Sequence, residues 1–292
     1  MKFDYLDKVF VITGAAGGIG SDLAKEVALN QGIVVALDLN QNKLNQLINE
    51  LPGNNHLSIC FDLTDKSEMI KAIEQINSQF GRIDVLVNNA AITSAERFDE
   101  RSLDSIEKEL SINLLSPLLF MRLAVDLLKK SNDPRIISTV SLGGIFPLGE
   151  TPIYTTSKFG LRGAMLSLSL DLAKKGIKVS SILPSATDTP MLHREAIEGG
   201  NTLQFLDPPQ TTKDVLKSFK KTLDNPKFER YPKPSESWLV RIVMLIPDLL
   251  PKLMPLFVGR GNKGHKKYLQ ELEKRDIIKL VNGKYELNEN NS

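Results

Sequence analysis

The stretch VFVITGAAGGIG, residues 9–20, decides how the rest of the chain is read. Its first five residues are apolar and rich in β-branched side chains, the mark of a strand buried on both faces. The last eight, TGAAGGIG, share Thr13 with that run and carry Gly14, Gly18 and Gly20 in the spacing G-x-x-x-G-x-G. Such a turn lets a pyrophosphate approach backbone N–H groups at a helix start, where the helix dipole also favours anions. A plain glycine turn is the bland alternative. The position of this turn, after the first strand and opening the first helix, favours a nucleotide.

Working outward, the same unit repeats. IVVALD (33–38), LSICFD (57–62), IDVLVNN (83–89), RIISTVS (135–141) and KVSSILP (178–184) are further apolar runs on consecutive residues. Helical stretches at 18–30, 41–50, 65–79, 102–129 and 155–175 separate them. Strand and helix alternating in this way predict right-handed crossovers and an α/β, doubly wound parallel sheet, the Rossmann fold, covered on both sides. Ligands then bind beyond the carboxyl ends of the strands. After Pro184 the alternation stops. Residues 185–210 are polar, with Gly199-Gly200 and Pro208-Pro209, and predict a mobile substrate loop. A helix over about 211–223 and a seventh strand at KFERYP follow, then an apolar, proline-punctuated tail. The predicted organisation is a single dinucleotide-binding and catalytic domain, 1–235, with a C-terminal apolar helical extension, 236–292.

Bulk properties narrow the partners. The chain has 292 residues, 41% hydrophobic and 25% charged, with a net charge of +2 that provides no global field for nucleic acid. Cys60 is the single cysteine, so no internal disulfide forms and a reducing, cytoplasmic setting is expected. The first residues, MKFDYLDKVF, lack the apolar core of a secretory signal. His56, His193 and His265 are scattered, and no metal site is predicted. His193 lies near Met191 in the loop and reads as a surface histidine.

The second strand ends in Asp38, whose carboxylate can accept from a ribose diol and would repel a 2′-phosphate. No Arg or Lys stands among the glycines or directly after Asp38. NAD is therefore expected rather than NADP. Asp38 capping the next helix is the structural alternative. The third strand ends in Asp62-Leu63, placed to meet an adenine edge, although Asp62 also suits a helix N-cap.

TGAAGGIG, NNAA (88–91), Asn113, Ser141, YTTSK (154–158) and PSATDT (184–189) together resemble the short-chain dehydrogenase/reductase family over roughly residues 7–190. The resemblance implies a catalytic Asn, Ser, Tyr and Lys at Asn113, Ser141, Tyr154 and Lys158. It also implies cofactor contacts at Gly14, Gly18, Ile19, Gly20, Asp38, Asp62, Leu63, Asn89, Tyr154, Lys158 and Thr189. Oxidising a secondary alcohol with NAD needs a base for the hydroxyl proton. A free phenol, with a pKa of about 10, is a poor one. Lys158, four residues along the same helical face, and the oxidised nicotinamide's charge are expected to lower it. Three positions depart from the family pattern: Ala91 for Gly, Val140 for Ser and Ser185 for Gly. They bear on cofactor affinity more than on chemistry.

The segment 237–267, SWLVRIVMLIPDLLPKLMPLFVGRGNKGHKK, is the least family-like part. Arg241, Asp248 and Lys252 oppose a span, each costing about 2.5–3.5 kcal/mol at a helix centre, and so do Pro247, Pro251 and Pro255. Two readings remain: short helices over the cleft or at a subunit contact, or a peripheral membrane contact through 238–267. From Arg241 to Lys267 the net charge is +5, leaving −3 for the rest. Either reading suits a lipophilic substrate, with Leu142, Leu148 and Met191 as pocket candidates. The family resemblance implies a homodimer or homotetramer. The rival function is a dinucleotide-binding scaffold or sensor without chemistry.

Overall fold

The computed structural model describes residues 2–288. Its first twelve elements alternate as expected: β1 (Val9–Thr13), α1 (Gly18–Leu29), β2 (Ile33–Asp38), α2 (Gln41–Glu50), β3 (Leu57–Cys60), α3 (Lys66–Phe80), β4 (Val85–Asn88), α4 (Leu103–Leu110), α5 (Ser116–Leu128), β5 (Arg135–Thr139), α6 (Pro152–Ala173) and β6 (Lys178–Ile182). With β7 (Glu229–Arg230) they form one parallel sheet of order β3-β2-β1-β4-β5-β6-β7. The order reverses between β1 and β4, and the turns leaving those two strands meet there.

Burial explains the consecutive apolar runs. Val9 and Val11 face a layer formed by α3, α5 and α6, where Ile76, Phe120 and Met165 pack. Phe10 and Ile12 face the opposite layer of α1, α2 and α8 (Thr212–Asp224), where Leu23, Leu44 and Phe219 pack. Alternate residues of one strand thus enter two cores, and each buried side chain of this size contributes about 1.5–3 kcal/mol.

Three expectations about local structure are corrected. The helix over 102–129 is interrupted by a π turn at Ser111–Leu115 between α4 and α5, which brings Asn113 inward. The segment read as a mobile loop holds α7 (Pro190–Glu198), closed by Gly199 at φ +80°, and a 3-10 turn at Thr202–Phe205. Phe205 packs with Tyr268 and Leu272, so burial for this segment comes from residues more than sixty positions away. The tail is not a set of short helices alone. After α9 (Pro234–Val243) and a 3-10 turn at Pro247–Leu249, α10 runs from Leu250 to Lys274 with Pro255 inside it.

Close packing onto 202–205 sustains α10 despite the cost of that proline, about 3 kcal/mol. A Cβ on Gly264 would lie 1.8 Å from the Phe205 carbonyl oxygen, so only glycine permits this approach. A hairpin of β8 (Ile278–Val281) and β9 (Lys284–Leu287), not anticipated from sequence, follows α10.

Candidate active site

A cavity of about 800 Å³ lies beyond the carboxyl ends of the strands. Of the sequence-predicted residues, Gly14, Gly18, Ile19, Asp38, Asp62, Leu63, Asn89, Ser141, Tyr154, Lys158 and Thr189 all line it. Gly20 and Asn113 do not. Gly20 sits beneath the turn, where a Cβ would be 2.1 Å from the Gly14 carbonyl oxygen. The departures Ala91, Val140 and Ser185 are on the lining too, as are the pocket candidates Leu142, Leu148 and Met191.

One end of the cavity fits a dinucleotide. Gly14 takes φ +63°, and a Cβ there would meet Ala90 Cα at 2.8 Å, so the turn leaving β1 presses backbone against the turn leaving β4. Asn89 joins three strands: its Nδ2 donates to the Gly14 carbonyl at 3.2 Å, and its Oδ1 accepts from Thr139 Oγ1 at 3.1 Å. Asp38 spans the glycine turn, with Oδ2 accepting from Ala16 N at 3.0 Å and Oδ1 from Asn40 N at 3.1 Å. The cap of α2 is Asn40, not Asp38. Likewise α3 is capped by Asp65, while Asp62 closes a local turn through Thr64 N and Oγ1, both at 2.8 Å. Both carboxylates are therefore on the cavity rim rather than in caps. Thr189, at the N-cap of α7, faces the glycine turn, with Cγ2 3.0 Å from where a Gly18 Cβ would stand. Lys43, on α2, also lines this end. It stands five residues beyond Asp38 in sequence, on the next helix, where nothing local marks it as facing this rim.

At the middle of the cavity stand three of the four catalytic candidates. Ser141 follows β5 and caps a 3-10 turn at Leu142–Gly144, its Oγ accepting from Gly143 N at 3.0 Å and bonding to the Tyr154 hydroxyl. Tyr154 and Lys158 come from the start of α6. Lys158 is almost completely buried; its Nζ donates to the Thr139 carbonyl at 3.3 Å and lies 5.5 Å from the Tyr154 ring centroid. Asn113 stands behind them, with Oδ1 accepting from Ile92 N and Nδ2 donating to Ile92 O, both at 2.8 Å. Nδ2 also donates to Ser157 Oγ at 3.2 Å. Both amide hydrogens are committed, leaving one Oδ1 lone pair for anything further.

The electrostatics bear on the effect expected of Lys158 alone. Burial pushes the Tyr154 phenol above its ordinary value, and Glu195 and Glu109 push it the same way, against the hydrogen bond from Ser141. The Lys158 ammonium bonds the Thr139 carbonyl and is not among the groups that lower the phenol here. Burial lowers Lys158 itself to about 8, with Glu109 opposing. Without a further positive charge, the site holds a neutral phenol.

Two buried carboxylates were missed. Glu109, one turn before Asn113, is fully buried; Oε2 pairs with Arg101 at 2.5 Å, and Oε1 has no hydrogen-bond partner. Glu195, on α7, lines the cavity and accepts from Gln204 Nε2 at 2.8 Å. Burial raises both carboxyls. Nothing local marks Glu109, but Met191, Leu192 and Glu195 share one face of α7 by helical spacing, a signal lost when that segment is read as a loop.

His193 is not a surface residue. It is buried, with Nε2 2.7 Å from Asp188 Oδ1, which also accepts from Tyr268 Oη at 2.7 Å. Arg275 Nη1 donates to Asp188 Oδ2 at 2.7 Å. These contacts hold Asp188 well below the usual carboxylate range and tie α7 to the far end of α10. Among the described residues, no group of three or more His, Cys, Asp or Glu is arranged to hold a metal.

The family model for short chain dehydrogenases matches residues 8–198, and the chain belongs to that family. It is accordingly a nucleotide-binding oxidoreductase of the class that acts on CH–OH groups. It is 31% identical to D-threitol dehydrogenase of Mycolicibacterium smegmatis, over 71% of this chain and 82% of that one. It is 30% identical to human 15-hydroxyprostaglandin dehydrogenase [NAD(+)], over 73% of this chain and 80% of the other. The fold superposes on a short chain dehydrogenase/reductase from Burkholderia phymatum solved with NAD, at TM-score 0.78 and 20% identity. That match covers 85% of this chain and 96% of its counterpart.

Proposed function

We propose that the protein transfers a hydride between NAD(H) and a lipophilic secondary alcohol or ketone, with Tyr154 as general acid/base. The observation that carries this is one continuous cavity with a glycine turn and Asp38 at one end and Ser141, Tyr154 and Lys158 at its middle. Bound NAD supplies the hydride acceptor and, when oxidised, a positive charge. Ser141 Oγ holds the substrate oxygen. Tyr154 takes its proton during oxidation and returns one during reduction, for which the neutral phenol is already the right form. Lys158 adds positive charge beside the phenol and binds the nicotinamide ribose. Asn113 keeps the 89–93 segment against α6. Thr189 holds the carboxamide, and Leu63 and Asp62 flank the adenine.

NAD is favoured over NADP because the Asp38 carboxylate stands at the end of β2, where a 2′-phosphate would lie. Lys43 on the same rim offsets only part of that repulsion. The lipophilic substrate follows from the other end. There Leu148, Met191, Val240, Val243, Leu253 and Phe257 form apolar walls, several contributed by α9 and α10. In this reading residues 1–235 are the dinucleotide-binding and catalytic domain and 236–292 a lid. The active unit is a homodimer or homotetramer working in the cytoplasm.

The test is a panel of steroid, acyl, polyol and aliphatic alcohols followed by NADH absorbance, with NADP in parallel. Turnover of an apolar secondary alcohol with NAD is expected. Tyr154→Phe should cut kcat by about 10³-fold while leaving NAD binding, read by fluorescence quenching, nearly intact. A Tyr154→Phe enzyme retaining more than about a tenth of wild-type kcat would remove the phenol from the mechanism. Absence of turnover on every alcohol, with NAD still bound, would favour the scaffold.

A further inference from the structure

The helices that wall the cavity are unusual on their other side. Among the described residues, seven large hydrophobic side chains between Trp238 and Val258 are exposed, and Trp238, Leu245 and Leu256 are each more than two thirds exposed. Outside this segment no more than three exposed residues of this size fall within any stretch of that length, an ordinary surface frequency. Seven within twenty-one positions is a patch, and such patches mark interaction sites.

The patch is also basic. On α10, Leu253, Phe257, Gly261, Tyr268 and Leu272 turn inward at helical spacing, with Gly261, Tyr268 and Leu272 buried. The same period puts Lys252, Leu256, Lys263, Lys266 and Lys267 along the outward stripe, and all five are exposed. Arg241 and Arg260 are engaged, with Glu229 and Asp207. The four lysines have no carboxylate partner among the described residues.

The segment cannot cross a bilayer. α9 has ten residues, about 15 Å of helix against a hydrocarbon core of about 30 Å, and a 3-10 turn breaks it from α10. α10 is long enough but carries Lys252, Arg260, Lys263, Lys266 and Lys267. An apolar face edged by lysines instead suits a helix pair lying in the membrane interface. A second copy of the chain fits less well. A two-fold contact through this stripe would set the unpaired lysines against their own symmetry mates, with no acidic residue of the patch but Asp248 to offset them.

We propose that the outward face of α9 and α10 is a peripheral docking surface for an anionic lipid bilayer, and that the cavity behind it draws its substrate from that bilayer. Docking is independent of the reaction proposed above, whereas entry of substrate from the lipid rests on it. Val240, Val243, Leu253 and Phe257 line the cavity from the same two helices whose other sides would touch lipid. A lipophilic alcohol would therefore pass between apolar surfaces without crossing water.

Trp238 is the protein's only tryptophan and belongs to the patch, so it reports docking directly. The full chain is titrated with vesicles of phosphatidylcholine alone and with about a third phosphatidylglycerol, a range in which each surface lysine is worth about fivefold in partitioning. The expected result is a blue shift of Trp238 emission with the anionic vesicles only. It should be reversed at about 1 M salt, where the screening length is about 3 Å. Flotation should agree. Lys263→Gln and Lys267→Gln should each lower partitioning about fivefold, with an unchanged thermal midpoint. Leu245→Glu with Leu256→Glu should abolish it at an unchanged midpoint.

No blue shift with anionic vesicles at low salt would overturn the proposal. So would partitioning that ignores these variants. A concentration-dependent blue shift without lipid, accompanied by a doubled mass in light scattering, would assign the face to a second copy. None of these readouts involves turnover, so docking can fail while the oxidoreductase reading stands, and the reverse.

Discussion

The two ends of the cavity are held together by different means. At the nucleotide end, Asp38, Asp62 and Asn89 each bond groups close in sequence or on the neighbouring strand, and backbone geometry does most of the positioning. At the substrate end, the walls exist because α7, the 202–205 turn and α10 pack on one another across long stretches of chain. The first end is fixed by short motifs and a strand order. The second depends on a tertiary assembly that holds the buried Glu195 carboxylate close enough to Tyr154 to raise its pKa, as Glu109 on α4 also does. Changes at the second end should therefore disturb stability and chemistry together, while changes at the first should alter cofactor choice alone.

The largest effect is expected at the buried Arg101–Glu109 pair, whose carboxylate acts on Tyr154 and Lys158. Arg101→Ala leaves Glu109 buried with neither oxygen bonded. The cost should be about 3–5 kcal/mol, measured by chemical denaturation. Replacing both residues, Arg101→Met with Glu109→Leu, should recover most of it, because the pair would then no longer require burial of charge. A single variant as stable as the wild type would mean that the ion pair is solvated.

Next is Gly264→Ala. Its Cβ would overlap the Phe205 carbonyl oxygen, which is backbone and cannot swing away. About 1–3 kcal/mol of destabilisation is expected, and it should be local. Hydrogen exchange should quicken in α7 and α10 while β1, β4 and β5 stay protected. Uniform loss of protection would erase the contrast between the two ends.

Asp38→Ala tests the nucleotide end in isolation. Removing the carboxylate should shift the ratio of kcat/KM for NAD over NADP towards NADP by about tenfold or more, with Lys43 then free to favour a phosphate. The thermal midpoint should move little, since the lost bonds are two rim contacts, one exposed and one part-buried. A wild type that already prefers NADP would show that Lys43 outweighs Asp38 at this rim.

These contrasts also explain what could be read from the sequence. The strands, their parallel arrangement and the residues lining the nucleotide end were legible because each is written in consecutive residues: apolar runs, a glycine spacing, a carboxylate at a strand end. Ser141, Tyr154 and Lys158 were legible for a similar reason, resting on a strand end and one helical turn. Glu109 and Glu195 were not. A glutamate in a polar, helical stretch carries no local sign that distant residues will bury it. His193 was misread likewise, since its partners Asp188, Tyr268 and Arg275 are gathered by the packing of α10. Pro255 misled in the other direction: its local cost is real, but contacts with 202–205 outweigh it.

Glu195→Gln should have the smallest effect and the most informative one. Burial raises the Glu195 carboxyl above its ordinary 4.5, so the folded protein holds this proton to a higher pH than the unfolded chain does. Stability therefore declines as pH rises from 4.5 through the folded value, and the deficit persists above it. Glutamine does not titrate, keeps the volume and can still accept from Gln204 Nε2. The variant should thus melt higher than the wild type at pH near 8, with the difference vanishing towards pH 4.5. Tyr154 responds in the same experiment. Removing a negative charge beside the phenol favours the phenolate, so the acid limb of kcat/KM for alcohol oxidation should move to lower pH. A stability gain without that displacement would make Glu195 a structural burden remote from the chemistry. A displaced limb together with the gain would show that the substrate end sets the proton affinity of Tyr154 as well as the shape of the pocket.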